Sequence, residues 1–307
     1  MKKCILICNL KSGKGLKSKD ISNIIDILDE HDYETEVYFT KKLGDAKNKV
    51  LSLKDTDLVL SVGGDGTYNE VIGGNYLRKD KILVAHVPVG TTNDIGHMLG
   101  MKRDVVENVK NLLNGKIKQV DIGLMNNRPF IYVAGFGKFI NVSYATKSSF
   151  KKVFGHLAYL MNGVKDFFRK TKLYEMEYTI DGVKRTGAFS LILISNSTRI
   201  AGFSNIYKDI KLDDDLLEVT LCKINRRTQI MRNVFLIATK GITNTPGFEC
   251  YKAADIEIKF KSPPKLHWAI DGEENMESTD TYKFGIEKSM KLLLPTQNLD
   301  KLFIKKE

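Results

Sequence analysis

The chain has 307 residues, 42% of them hydrophobic and 28% charged, which is ordinary for a soluble globular protein and long enough for two domains with separate cores. A net charge of +11 and a pI near 9.2 favour an anionic partner: a nucleotide, an acidic membrane surface or nucleic acid. No apolar run reaches the roughly 18 residues of a membrane span, and the N-terminus enters Cys4-Ile5-Leu6-Ile7-Cys8 too early for a signal peptide, so the reading is cytoplasmic. The four cysteines (Cys4, Cys8, Cys222, Cys250) lie in strand-like segments and read as reduced core thiols rather than metal ligands or a disulfide framework.

Cys4 to Cys8 predicts a buried first strand, followed by the basic glycine loop Asn9-Leu10-Lys11-Ser12-Gly13-Lys14-Gly15, which lacks Walker A spacing. Ile21, Ile24, Ile25, Ile27 and Leu28 recur at helical spacing and predict a helix from about Lys19 to His31. Glu34 to Thr40 alternates as a strand, and Asp45 to Leu53 reads as a helix. The next stretch, Asp57 to Glu70, organises the chain. Leu58, Val59, Leu60 and Val62 form a short buried strand, Gly63, Gly64 and Gly66 break it, and a helix begins. Three glycines around Asp65 suggest backbone at positive φ and a ligand approaching more closely than a Cβ allows. The unpaired N–H groups of a helix start favour anions, so the ligand reads as a phosphate chain. An aspartate within an anion site requires a cation beside the phosphates, or a lysine or backbone donor to hold the carboxylate.

Ile82 to Val87 is another apolar strand, ending in Pro88-Val89-Gly90-Thr91-Thr92-Asn93-Asp94. Two strand ends with glycine turns are what a nucleotide crevice at the carboxyl edge of a parallel sheet needs. A helix is expected over Val105 to Leu113, then a strand over Lys118 to Leu124 carrying Asp121, a turn at Asn126-Asn127, and a returning strand from Pro129 to Ala134. From there the pattern turns to antiparallel β, which places a domain boundary near residue 125. Tyr174 to Ile180, Asp181-Gly182 and Val183 to Ser195 form a hairpin signal. Further strands are expected at Leu216 to Lys223, Ala254 to Phe260, Leu266 to Ile270, Thr281 to Ile286 and Met290 to Leu294, with one helix over Thr228 to Ile242. The tail from Asn298 to Ile304 is expected to return to the first domain. Between the hairpins, Phe150, Val153, Phe154, Leu157, Leu160, Met161, Val164, Phe167 and Phe168 share a helical stripe, and Lys151, Lys152, Lys165, Arg169, Lys170 and Lys172 decorate the rest. This is either a helix with a solvated basic face or one touching acidic lipid.

Gly63-Gly64-Asp65-Gly66-Thr67 with Asn69-Glu70 resembles the nucleotide-binding signature of the diacylglycerol kinase catalytic-domain family, soluble bacterial lipid kinases related to sphingosine and ceramide kinases. The five residues alone also occur in NAD kinases, so the rest of the chain carries the assignment. Asn9, Ser12 and Gly13 match the family's N-P-x-S-G loop, with Leu10 in place of proline. Pro88 to Asp94 matches P-x-G-T-T-N-D, and Gly155, Ala158 and Tyr159 match G-x-x-A-Y. The resemblance implies an α/β nucleotide-binding domain followed by a mainly antiparallel β-sandwich that binds lipid. It implies ATP held by Asn9, Ser12, Gly13, Thr40, Gly63, Gly64, Asp65, Gly66, Thr67, Asn69, Glu70, Gly90, Thr91, Thr92 and Asn93. It also implies Mg2+ in a water-linked network with Asp65, Asp94 and Asp121.

Asp271-Gly272-Glu273 resembles the family's D-G-E element, which supplies the base. Read as a strand, it turns Asp271 and Glu273 the same way, toward one substrate hydroxyl. The alternative is an Asp-Gly hairpin turn. Lys211 to Leu217 resembles L-D-D-G, where Asp214 with the carbonyls of Lys211 and Leu216 would hold a structural magnesium, although Asp215 replaces the glycine. A surface acidic turn is the other reading. The expected function is phosphoryl transfer from ATP to a lipid hydroxyl, most simply that of diacylglycerol, at the inner surface of an anionic membrane. NAD kinase and a non-catalytic lipid-binding protein are the competitors, and no aromatic–basic motif supports nucleic acid. The sequence does not set the oligomeric state; a homodimer is compatible with it.

Overall fold

A computed structural model describes residues 1–13, 16–138, 140, 171–200, 203–204, 206–207, 209–224 and 226–304. The basic stripe expected over 150–172 lies outside the described residues, apart from its last two positions. The chain divides into two compact units, Met1–Asp121 with Lys288–Glu307, and Ile122–Glu287.

The first unit alternates strand and helix. Its elements are β1 (Lys2–Cys8), α1 (Ser18–Asp29), β2 (Tyr33–Phe39), α2 (Asp45–Ser52) and β3 (Leu58–Gly63). They continue with α3 (Asp65–Leu77), β4 (Leu83–Pro88), α4 (Asp94–Met98), α5 (Val105–Leu113) and the first part of β5 (Lys116–Met125). The sheet runs in the order β2-β1-β3-β4, with all three pairings parallel. Every residue of β3 is buried, as are the last five of β1, which is the signature of parallel strands covered on both faces. Ile24, Ile27 and Leu28 form the buried side of α1. The chain moves from β1 outward to β2, then back across to β3 on the other side of β1. The order therefore reverses between β1 and β3, and the crevice beyond their carboxyl ends is where such sheets bind ligands.

Several polar residues interrupt this apolar core, Ser61, His86 and Asn75 among them. His86 of β4 is stacked on Tyr68 of α3, ring centroids 4.4 Å apart, and burial pushes its imidazole down to about 3. It is a neutral packing group. Asn75 is fully buried at the end of α3, donating to the Ile82 carbonyl at 2.8 Å and accepting from the Ile82 N–H at 2.9 Å. Its amide closes the α3–β4 connection. Substituting Asn75 by alanine leaves both backbone groups unpaired, an expected loss of about 2–4 kcal/mol in urea-unfolding free energy; an unchanged midpoint would show that water replaces the amide.

The second unit begins with the end of β5, then β6 (Arg128–Phe130), β7 (Val133–Gly137), β8 (Tyr174–Ile180), β9 (Val183–Phe189) and β10 (Leu191–Ser195). There follow β11 (Arg199–Ile200), β12 (Phe203–Ser204), β13 (Leu217–Cys222), α6 (Arg227–Lys240), β14 (Phe248–Ala253) and β15 (Ile256–Phe260). The last elements are β16 (Trp268–Ile270), β17 (Glu273–Asn275), the long β18 (Thr281–Leu294) and α7 (Leu299–Leu302), of which α7 and the end of β18 belong to the first unit. One antiparallel sheet is ordered β14-β13-β10-β7-β16-β17, and a second antiparallel set is β18-β15-β8-β9. Alternate residues from the two meet in one core: Phe136, Ile192, Ile194, Leu217, Val219, Leu221 and Trp268 from the first, and Met176, Tyr178, Ile258, Phe260, Tyr282 and Phe284 from the second. This is the β-sandwich expected from the sequence.

Four expected strands are drawn differently. Val183 to Ser195 is two strands that serve different sheets, broken at Ser190, whose hydroxyl bonds the Ile224 carbonyl at 2.7 Å. Pro129 to Ala134 is broken at Ile131-Tyr132, whose N–H groups turn aside to a side chain 139 and 140 positions away. Thr281 to Ile286 and Met290 to Leu294 are one continuous strand, since the polar residues between them keep extended backbone without keeping an apolar side.

Candidate functional site

Three loops leave the carboxyl ends of β1, β3 and β4, and they pack on one another through backbone. A Cβ at Gly90 would lie 2.7 Å from the Gly64 Cα, and one at Gly13 would collide with the Val89 carbonyl oxygen. Gly13 has φ +52, whereas Gly63, Gly64 and Gly66 do not adopt positive φ. The expectation of positive φ there is therefore corrected: Gly64 faces the Gly90 Cα, 3.4 Å from where its Cβ would lie, and Gly63 makes room for the Thr67 side chain, 2.6 Å from its own. Side chains complete the framework. Asn9 donates to the Thr67 hydroxyl at 3.0 Å, the Ser12 hydroxyl accepts from Gly64 N–H at 3.3 Å, and the Val89 N–H bonds the Gly63 carbonyl at 2.8 Å. Thr40 joins its own loop to the Cys8 carbonyl by a backbone bond of 2.9 Å. Asn93, left-handed at φ +52, donates to the Gly90 carbonyl at 3.0 Å, while its buried Oδ1 finds no hydrogen-bond partner among the described residues. An unsatisfied acceptor at such a loop suits a donor on a ligand.

Asp65 opens α3, and its carboxylate accepts from the N–H groups of Asp94 (3.1 Å) and Ile95 (3.3 Å) at the start of α4. Of the two means of holding Asp65 that the sequence left open, the structure shows backbone donors. Asp94 and Asp121 are buried, 1% and 4% exposed. Among the described residues no three His, Cys, Asp or Glu side chains gather as a direct metal-holding group. Glu70 points elsewhere than into the loops: its two oxygens accept from Gly44 N–H (2.9 Å) and Ala46 N–H (3.0 Å), fastening the start of α2. Thr91 is exposed, and Thr92 and Asn69 are partly so.

In the second unit, Asp271 (φ +49) and Gly272 (φ +82) are the two central residues of a tight hairpin turn closed by the Ile270–Glu273 pair. The strand reading that turned Asp271 and Glu273 the same way is corrected by this turn. Asp271 is 4% exposed, and its carboxylate accepts from Ile131 N–H at 2.7 Å and from Tyr132 and Val133 N–H at 3.0 Å each. Burial pushes this carboxyl up to about 6, against the pull of those three N–H groups. Asp271 thus holds the corner between β6 and β7, and Glu273 stands half-exposed at the first position of β17.

The acidic turn before β13 is preserved in spite of its missing glycine: Asp215 takes φ +62, the conformation glycine would supply. Asp214 Oδ1 accepts from the Leu216 N–H at 3.2 Å, and Oδ2 lies 3.5 Å from Lys252 Nζ. Glu218, side-chain exposure 6%, places Oε1 3.4 Å from the same Nζ. Sequence reading missed Glu218 and Lys252; they are directly opposed on β13 and β14, a register no local pattern reveals.

A mononucleotide crevice at a sheet reversal, followed by a β-sandwich, defines a kinase of the diacylglycerol kinase and NAD kinase architecture. The family model of the diacylglycerol kinase catalytic domain matches residues 3–125, and that of the YegS C-terminal NAD kinase beta sandwich-like domain matches residues 135–285. The diacylglycerol kinase of Staphylococcus epidermidis is 31% identical over 275 residues, covering 89% of this chain and 86% of its own, and that of Staphylococcus saprophyticus is 30% identical, covering 89% of each. The diacylglycerol kinase of Bacillus subtilis is 29% identical over 276 residues, 89% of this chain and 90% of its own. A solved putative diacylglycerol kinase from Bacillus anthracis shares the fold with a TM-score of 0.79 at 21% identity, covering 96% of this chain and 97% of its own. Yeast NADH kinase shares it more distantly, with a TM-score of 0.55 at 11% identity over 97% of this chain and 84% of its own. The chain belongs to the diacylglycerol kinase family. It is a lipid kinase with ATP as its phosphoryl donor.

Proposed function

We propose that this enzyme transfers the γ-phosphoryl group of ATP to the free hydroxyl of diacylglycerol, giving phosphatidic acid and ADP. The observation that carries the reading is the backbone-to-backbone packing of the Gly13, Gly64 and Gly90 loops at the sheet reversal, the place where sheets of this kind take a phosphate-bearing ligand. The lipid oxygen bonds to the γ-phosphorus as the bridge to ADP breaks, and the hydroxyl proton passes to a carboxylate. Glu273 is that carboxylate. Asp271 is a positioning residue, because its oxygens are engaged by three backbone N–H groups.

Three carboxylates, of which Asp94 and Asp121 are buried, suit a magnesium ion bound through water, the mode this reluctantly dehydrated cation favours. Asp65, Asp94 and Asp121 are the residues that would hold it, and it would neutralise charge on the phosphates. Labelled ATP offered with diacylglycerol, monoacylglycerol, sphingosine, ceramide, phosphatidylglycerol, undecaprenol and NAD, with products identified by mass, tests the assignment. Label in phosphatidic acid supports it, and label confined to another acceptor overturns it.

The net charge of +11 supports a reaction at an acidic membrane surface. No helix among the described residues is long and apolar enough to cross a membrane. Partitioning onto acidic vesicles is expected to fall as salt rises, and reversing Lys151 and Lys152 to glutamate to weaken it by roughly tenfold or more, at ~1 kcal/mol per basic residue near the surface. Equal partitioning on neutral and acidic bilayers would remove the idea.

A further inference from the structure

We infer that the Lys252 ammonium, rather than a divalent cation, is the positive charge that holds the Asp214 turn. The geometry is a tripod. Lys252 Nζ donates to the Asp209 carbonyl at 2.8 Å and lies 3.5 Å from Asp214 Oδ2 and 3.4 Å from Glu218 Oε1. An ammonium has three protons, and three acceptors from the one stretch Asp209 to Glu218 converge on this one, which reaches them from a neighbouring strand. Its backbone is fixed for the task, because Lys252 and Glu218 are opposed on paired antiparallel strands, where opposite charges attract across the ladder.

Burial makes this charge necessary. Glu218 belongs to the strand face turned away from the sandwich core, its side chain is 6% exposed, and Oε2 has no hydrogen-bond partner among the described residues. A carboxylate so placed, beside a second one, is strongly unfavourable unless a cation stands against it. Asp214 contributes its other oxygen to the Leu216 N–H, so the turn is shaped by hydrogen bonding before any ion is considered. A magnesium ion requires near-octahedral oxygen ligands at about 2.0–2.1 Å. Here the carboxylate oxygens converge on an ammonium, and a dication would have to displace it against like-charge repulsion. The resemblance-implied set of Asp214 with the carbonyls of Lys211 and Leu216 therefore does not fit a resident magnesium in this chain. Where a metal would hold this turn from outside, the chain supplies its own cation. The inference stands apart from the kinase reading and concerns how the second unit is held together.

Thermal unfolding of the full chain, free of nucleotide, tests it. The shift in midpoint between chelator and millimolar magnesium is expected to be the same, within about 1 °C, in the wild type and in Asp214→Asn, since an ion that does not bind at this turn does not stabilise the fold through it. Lys252→Met is expected to lower the midpoint in chelator by roughly 3–8 °C, because two carboxylates lose their counter-charge. Adding Glu218→Gln to that variant is expected to recover most of the loss, a coupling that a merely structural lysine stem would not show. Should Lys252→Met fail to fold, the wild-type magnesium titration and Asp214→Asn carry the test. A magnesium-dependent rise in the wild-type midpoint that Asp214→Asn abolishes would overturn the inference. So would a Lys252→Met midpoint equal to the wild type.

Discussion

Substituting Gly90 by alanine is expected to weaken ATP binding by roughly ten- to a hundredfold, the equivalent of ~1–3 kcal/mol of overpacking. The new Cβ would lie 2.7 Å from the Gly64 Cα and 2.7 Å from the Asn93 Oδ1. Backbone cannot yield as the far end of a flexible side chain does, so the β4 loop must move away from the β3 loop. Gly64→Ala is milder, because its Cβ would meet the Gly90 Cα at 3.4 Å, ordinary contact. Gly182→Ala is the control. Gly182 has φ +80 and nothing within 4 Å of its added Cβ, so the variant is strained without crowding. It is expected to lose about 1 kcal/mol of stability and to leave nucleotide affinity alone. Calorimetric titration with ATP and unfolding midpoints separate the two effects. Equal ATP affinity in Gly90→Ala and wild type, with native circular dichroism, would show that the loops do not shape the phosphate site.

The second large effect divides the two carboxylates of the Asp271-Gly272-Glu273 turn. Glu273→Gln keeps volume and removes the basic oxygen, and as loss of a positioned general base it is expected to lower kcat by ~10²–10⁴-fold with ATP binding and unfolding midpoint unchanged. Asp271→Asn acts differently. Whichever way the amide faces, at least one of the Ile131, Tyr132 and Val133 N–H groups meets an NH2 in place of an oxygen, at a cost of about 1–3 kcal/mol of stability. Its activity is expected to fall together with its unfolding midpoint. The readout that decides between them is the pairing of kcat with stability. A Glu273→Gln enzyme at wild-type rate, or an Asp271→Asn enzyme that is inactive yet fully stable, would exchange the two roles.

How much of this was legible in the sequence depends on how far apart the deciding atoms are along the chain. The strand, glycine turn and helix from Asp57 to Glu70 follow from local rules alone, because burial on both faces demands an apolar run and the turn demands small residues. The alternation of strand and helix and the later turn to antiparallel β followed from the same periodicities, the β-sandwich itself was implied by the family resemblance, and the helix over Val105 to Leu113 appears where its spacing puts it. What local pattern misjudged was set by distant partners. The glycines at 63, 64 and 66 looked like positive-φ residues, but none adopts that conformation, and Gly64 instead faces the Gly90 loop. The break at Ile131-Tyr132 depends on Asp271, and the same contact ties that carboxylate to the backbone of a turn, while Glu273 stands on β17. Glu70 sits beside the phosphate-loop signature, yet it caps a helix that precedes it in the chain. Lys252 carries no signal at all in the sequence. Its partner is set by ladder register, and side chains opposed across a sheet have no fixed separation along the chain.

One measurement bears most directly on the assigned chemistry. ATP labelled in the γ-phosphoryl group is supplied with diacylglycerol in acidic vesicles, and the labelled product is followed for the wild type, Gly90→Ala and Glu273→Gln. The expected result is label in phosphatidic acid from the wild type, with both variants slower, Gly90→Ala recovering as ATP is raised and Glu273→Gln not recovering. Label released as inorganic phosphate, or phosphatidic acid formed by both variants at the wild-type rate, would contradict it.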